Sequence, residues 1–337
     1  MADNHHSFQR GDMVFLFKTK SRFTRVFIHQ KSKMLNKIVA GTLPLVPKKF
    51  VWLFSRRYVA GECVDDAISI SKQLNEKGIC VTIDLLGEFI HTIEEAEHNK
   101  NEYLKIVEQF TNHKIDGNFS VKPTSFGLLI DQEKCYQYIR EVVALAAKSN
   151  NFVRIDMEDS QCTQVEIELY GHLKAEFPQN VGLVLQAYLK RTRSDIESMI
   201  ANWHTPFASL NFRLCKGIYV EPAAIAFKDY HQVRHHFLTN LELMFRHDVY
   251  AAIATHDSFL VREAIELINR YKVPKNRYEF QMLYGVTPGL RDSIVAQGHK
   301  MRIYVPFGKD WFGYCSRRLK ENPKMITDIM KALFIRG

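Results

Sequence analysis

At 337 residues the chain is long for one ordinary domain, yet it has the size of a single α/β barrel with an appendage. Its 46% hydrophobic and 25% charged residues exclude a disordered or collagen-like chain. The net charge of +9 is concentrated in residues 1–57, where twelve Lys/Arg face only Asp3 and Asp12 and the remainder is left near neutrality. Such a leader suits an anionic surface, a membrane face or nucleic acid, or else a pair of amphipathic helices packed on the domain. No run of about 18 apolar residues occurs, and the polar stretch Met1–Arg10 is not a secretory signal. The six cysteines are scattered without a CxxC pair, so free thiols in a reducing compartment are expected.

In chain order, eight short apolar runs read as strands: Ile79–Leu86, Asn118–Lys122, Phe152–Asp156, Val181–Gln186, Leu210–Leu214, Val249–Ala254, Tyr278–Leu283 and Met301–Val305. Helix-patterned segments follow most of them, among them Glu133–Lys148, Val165–Glu176 and Ser258–Tyr271. Parallel βαβ units in this number predict a (β/α)8 barrel over residues 57–337, preceded by a basic helical segment at 1–56. An open doubly wound sheet is the alternative, but no GxGxxG or GxxxxGK[ST] turn supports it.

Barrel chemistry sits at the carboxyl ends of strands. Those ends supply Asp84, Lys122, Asp156 with Glu158, Gln186, Arg213 with Lys216, Thr255-His256-Asp257, Gln281 and Tyr304, which converge on one polar mouth. Asp156, Glu158, His256 and Asp257 could make the metal site of a barrel hydrolase, but one strand-end histidine is a poor ligand set, and no metal is expected. Near the C-terminus, Arg317 and Arg318 precede Glu321 by one helical turn, an arrangement that orients guanidinium groups for bidentate capture of a carboxylate. Gly217 lets backbone approach a bulky ligand, and Thr255 with His256 lead into a helix N-terminus where phosphate can bind.

Taken together these segments resemble the proline dehydrogenase family, including the corresponding domain of the bifunctional proline utilisation A flavoproteins. The matching blocks are RYVAGE (57–62), TIDLLGE (82–88), SVKPTSFG (120–127), RIDMEDS (154–160), VLQAYLKRT (184–192), RLCKGIYVEP (213–222), ATHD (254–257), YEFQMLYGV (278–286) and RIYVPFGKDWFGYCSRRLKENP (302–323), in family order. The resemblance implies a distorted barrel that binds FAD without a Rossmann fold, oxidises L-proline to Δ1-pyrroline-5-carboxylate and passes electrons to a quinone. By match to the family's motifs, Lys122, Arg317 and Arg318 hold the substrate carboxylate and Glu321 supports the arginines. Leu283, Tyr219 and Tyr304 pack the ring, and Asp156 lies beside Lys122 and Tyr304.

For FAD the same match assigns Met157, Gln186, Arg213, Lys216, Gly217, Ile218, Thr255 and His256, with Arg213 near flavin N5. Asp156 and Arg213 are the expected catalytic pair. Two departures stand out: Val220 and Asp257 occupy positions that are Trp and Asn in the bifunctional branch. The implied partners are L-proline, a quinone and, through the basic leader, the inner face of the cytoplasmic membrane; no nucleic acid is expected. The implied location is the cytoplasm.

Overall fold

Eight parallel strands follow one another around a closed barrel in sequence order. The computed structural model describes residues 52, 55–87, 90–203 and 210–315. The strands are β1 (Cys80–Leu85), β2 (Gly117–Val121), β3 (Val153–Ile155), β4 (Val181–Gln186), β5 (Asn211–Cys215), β6 (Tyr250–Ala254), β7 (Tyr278–Leu283) and β8 (Met301–Phe307). Closure is made by β8 on β1, in the register Val81↔Ile303 and Asp84↔Pro306. The described helices are α1 (Val64–Asn75), α2 (Ile93–Asn112), α3 (Gln132–Lys148), α4 (Thr163–Glu176), α5 (Thr192–Trp203), α6 (Tyr230–Arg246), α7 (Ser258–Tyr271) and α8 (Pro288–Ala296), with a 3-10 turn at Pro123–Phe126 after β2.

Alternation of side chains along a strand gives each one two faces. Val81, Ile83, Phe119, Val121, Phe212 and Phe280 belong to the apolar core shared with the helices, and truncating one of these buried phenylalanines to alanine costs about 3–5 kcal/mol. The residues between them are polar. Thr82, Asp84, Asn118, Ser120, Arg154, Arg213, Glu279, Gln281 and Arg302 are all buried. Their hydrogen bonds cross the bore, as from Arg213 on β5 to Ser120 on β2 at 3.1 Å. A bore of this kind differs from the Val, Ile and Leu layers that usually fill an eight-stranded barrel.

Local chemistry starts the helices where the strands end. Thr92 and Glu95 form a capping box on α2, and Asp131 and Asp229 cap α3 and α6. Gly127, at φ 93°, closes the 3-10 turn in a left-handed conformation that glycine adopts without strain. The chain divides into two units. One, Arg56–Trp311, is the barrel. The other joins Met1–Ser55 to Phe312–Gly337, and its described residues, Trp52, Ser55 and Phe312–Cys315, are helical. The basic segment expected at 1–56 falls almost entirely outside the described residues.

Three expected boundaries shift in ways that matter. Strand β3 stops at Ile155, so Asp156 lies just beyond it, as Lys122 lies just beyond β2. Strand β8 runs on to Phe307 because it pairs with β1 as far as Leu85, which places Tyr304 inside the bore and not at a strand end.

Candidate active site

Asp156 stands at the centre of the mouth. Its Oδ1 accepts from Arg213 Nη1 at 2.8 Å and from Ser120 Oγ at 2.5 Å, and its Oδ2 accepts from the Tyr304 hydroxyl at 2.9 Å. Lys122 Nζ donates to Asp84 Oδ1 at 2.6 Å and to the Tyr304 hydroxyl at 3.3 Å, with Asp156 Oδ2 3.9 Å away. The Arg213 guanidinium lies over the Tyr304 ring, 5.2 Å from its centroid. Desolvation, reinforced by the Asp156 and Asp84 carboxylates, holds the Tyr304 phenol well above its ordinary pKa, so it remains a donor. Four residues expected from sequence, Lys122, Asp156, Arg213 and Tyr304, therefore share one network.

Asp84 and Gln281, read from sequence as polar strand ends without an assigned role, complete it together with Ser120, which was not singled out. Gln281 Oε1 accepts from Arg213 Nε at 2.5 Å. Their signal was present in the alternation of strand residues, which puts Asp84, Ser120 and Gln281 on the same inward faces as Thr82, Lys122 and Glu279.

The strand ends that flank this network carry the remaining candidates. Met157 is buried beside Asp156, and Gln186 donates to the Glu158 carbonyl at 2.6 Å. The Glu158 carboxylate accepts from Thr124 N at 2.9 Å and Thr124 Oγ1 at 2.5 Å, which ties the end of β3 to the turn that follows Lys122. Its own amide is gripped by Glu166, whose carboxyl burial pushes well above the ordinary range. Gly217 has φ 102°, and a Cβ there would fall 2.1 Å from the Tyr188 ring, so only glycine permits this path of the backbone. Ile218 beside it is exposed, while Tyr219 and Leu283 are half-buried. His256 Nε2 accepts from Leu283 N at 2.9 Å, which leaves the hydrogen of the neutral ring on Nδ1 as a donor.

The helix N-terminus after Thr255 and His256 is built differently from the expectation. Asp257 is the N-cap of α7, and its own carboxylate takes the amide of Phe259 at 3.1 Å. That carboxylate also receives Arg234 through two nitrogens, at 2.9 and 2.7 Å, and the Tyr230 hydroxyl at 2.5 Å, with Lys216 Nζ at 3.5 Å. Burial alone would raise its pKa, but Arg234, Tyr230 and Lys216 outweigh it and hold the group well below the ordinary carboxylate range. Two cations against one carboxylate keep this corner positive, so it still suits an anion. Arg317, Arg318 and Glu321 lie outside the described residues.

The fold and the cluster define a (β/α)8-barrel enzyme with a buried, charge-balanced polar mouth. The sequence matches the proline dehydrogenase family over residues 67–329, and the chain belongs to that family. Proline dehydrogenase 1 of Bacillus subtilis (strain 168) is 35% identical over 281 residues, covering 83% of this chain and 91% of the relative. Proline dehydrogenase of Deinococcus radiodurans is 31% identical over 290 residues, covering 84% and 91%. Among solved structures, proline utilization A of Bdellovibrio bacteriovorus, inactivated by N-propargylglycine, superposes with a TM-score of 0.73 at 23% identity and covers 80% of this chain. The chain spans about a third of that protein's length. The comparisons lend no support to a metal-dependent hydrolase, and among the described residues no group of three or more His, Cys, Asp or Glu could hold a metal ion.

Proposed function

We propose that this protein oxidises L-proline to Δ1-pyrroline-5-carboxylate at the barrel mouth, with FAD as its cofactor and a quinone as the final electron acceptor. The observation that carries the reading is the network in which Asp156 gathers Arg213, Ser120 and Tyr304 beside Lys122. Lys122 binds the substrate carboxylate, together with Arg317 and Arg318, which Glu321 supports in the family pattern. Leu283, Tyr219 and Tyr304 pack the pyrrolidine ring, and Asp156 fixes the spacing of the donors around it. Orientation is the larger part of what such a site contributes.

The residues present fit a flavin. Arg213 Nη2 is buried with no hydrogen-bond partner among the described residues, a donor awaiting an acceptor in the mouth. Met157, Gln186, Lys216, Gly217, Ile218, Thr255 and His256 would hold the group with Arg213. When bound, FAD supplies the two-electron acceptance that removes hydride from the carbon next to nitrogen. The test is the visible spectrum of the purified protein: a flavin band bleached by L-proline is expected, and a protein that binds no flavin and leaves proline unchanged would overturn the reading.

The basic leader supports a cytoplasmic enzyme that visits the membrane to pass on electrons. No helix among the described residues is long and apolar enough to cross a bilayer. Phe15, Phe17, Phe23, Phe27 and Ile28 interleave with Lys18, Lys20, Arg22 and Arg25, a mixture suited to an interfacial segment. Each Lys/Arg near an anionic surface contributes about 1 kcal/mol. Binding of the full chain to anionic vesicles should weaken with salt and on changing Lys18, Lys20, Arg22 and Arg25 to Glu. Equal sedimentation of both proteins with vesicles would remove the membrane role.

A further inference from the structure

Arg213 is held from two sides. Toward the mouth, Nη1 donates to Asp156 and Ser120; toward the floor of the barrel, Nε donates to Gln281 Oε1 at 2.5 Å. The second contact begins a chain. Gln281 Nε2 donates to Glu279 Oε1 at 2.6 Å, and the same oxygen accepts from Arg302 Nε at 2.8 Å. Lys300 Nζ lies 3.3 Å from the other oxygen, and Arg302 Nη1 is anchored on the Val81 carbonyl at 2.7 Å. Gln281, Glu279 and Arg302 are 4%, 2% and 7% exposed, so water does not compete for these bonds.

The chain has a direction. Burial pushes the Glu279 carboxyl up, but Arg302, Lys300 and Gln281 outweigh that and hold it ionised. An ionised carboxylate only accepts, so the Gln281 amide must turn its NH2 toward Glu279 and its carbonyl toward Arg213. The flipped amide would set its NH2 against the Arg213 Nε–H and its carbonyl against the Glu279 carboxylate, leaving two buried donors and two buried acceptors opposed. Glu279 therefore selects the orientation of Gln281, and Gln281 selects that of Arg213.

We propose that Gln281 and Glu279 are positioning residues for the oxidation, holding the Arg213 guanidinium so that Nη2 is presented to the bound flavin. This rests on the flavin reading above. The strand pattern brings these groups together because Glu279 and Gln281 are two apart on β7, both facing the bore.

The experiment uses the flavin-loaded full chain with Gln281→Met, which keeps volume and removes both hydrogen bonds, and Gln281→Asn, which keeps polarity and withdraws the amide by one methylene. Asn is read in parallel so that misfolding of the Met variant leaves the test standing. The expected result is a kcat lowered about tenfold or more, a KM for proline within about threefold, and a tenfold weaker preference of the protein for reduced flavin, which is about 30 mV more negative in midpoint potential. In an Arg213→Met background the same substitutions should have little further effect, because Gln281 acts through Arg213. Unchanged kcat and potential, or losses of equal size with and without Arg213, would overturn the proposal. A wild-type chain that reduces its flavin with proline while both variants match it defeats only this inference; a wild-type chain without flavin defeats the functional reading itself.

Discussion

Lys122 Nζ lies 2.6 Å from Asp84 Oδ1, and Asp84, on the neighbouring strand, is 1% exposed. The lysine is thereby tethered at its charged end as well as at its backbone. Removing one partner of a buried pair costs about 3–5 kcal/mol, because the other charge is left uncompensated. Asp84→Ala should lower unfolding stability by less than that amount in urea titrations, because Asp156 Oδ2, 3.9 Å from Lys122 Nζ, still faces the lysine. It should also lower kcat/KM for proline at least about tenfold, as Lys122 swings toward Asp156 and away from substrate. Unaltered kinetics would show that the tether does not set the position of Lys122.

Tyr304 bridges Lys122 and Asp156 through one hydroxyl. Loss of one such bond costs about 1.5–3 kcal/mol when a charged group is involved, so Tyr304→Phe should reduce kcat/KM by roughly ten- to a hundredfold. Its ring also fills the ring pocket in the proposed function. Tyr304→Ser should therefore relax discrimination against trans-4-hydroxyproline, measured as the ratio of kcat/KM for the two substrates. Equal ratios in wild type and variant would take Tyr304 out of substrate selection.

The described cluster balances two cations, Lys122 and Arg213, with two carboxylates, Asp84 and Asp156. A substrate carboxylate needs further positive charge, and the Arg317–Arg318 pair is the source that the sequence offers. Arg317→Met and Arg318→Met should each raise KM for proline, with a cost of about 2–5 kcal/mol for a lost charge-paired contact to the substrate carboxylate, while flavin absorbance is retained. Proline saturation curves that overlay wild type for both variants would eliminate the clamp.

Asp257 yields a pH prediction. Its folded pKa is depressed relative to the ordinary value of about 3.9, so its contribution to stability is complete above that value and is lost as pH falls through the folded value. Asp257→Asn removes this titration and weakens the hold on Arg234, Tyr230 and Lys216. The variant should melt about 4–8 °C lower at pH 7, for a loss of roughly 2 kcal/mol, and the gap should narrow on acidification below about pH 4. A gap that stays constant down to pH 2 would mean the carboxylate is not the stabilising group.

Much of the barrel was legible because β4, β7 and α7 are bounded by abrupt changes of periodicity, and they begin and end where the pattern places them. Strand ends were less legible. Whether β8 stops at Val305 or Phe307 depends on its partner β1, a residue far away in sequence. The same limit applies to the site. Lys122, Asp156, Arg213 and Tyr304 stand out because they are charged or large at strand ends or motif positions, and Asp84 and Gln281 are visible as polar strand ends, but the partners of these two, and any role for Ser120, are set by side chains on other strands. Asp257 illustrates a further gap: a helix N-terminus after His256 was readable, but the meeting of Asp257 with Arg234 required α6 and α7 to be neighbours in space.

The two-faced strands restrict how chains of this kind can change in length. One residue inserted within β7 would turn Glu279 and Gln281 outward against the helices and carry Phe280 into the bore, because strand side chains repeat every two residues. Several buried charges would lose their partners in a single step. Insertions and deletions should therefore be tolerated in the connections between strands and helices, while within the strands a change of length that breaks the two-residue spacing of the polar side chains should not.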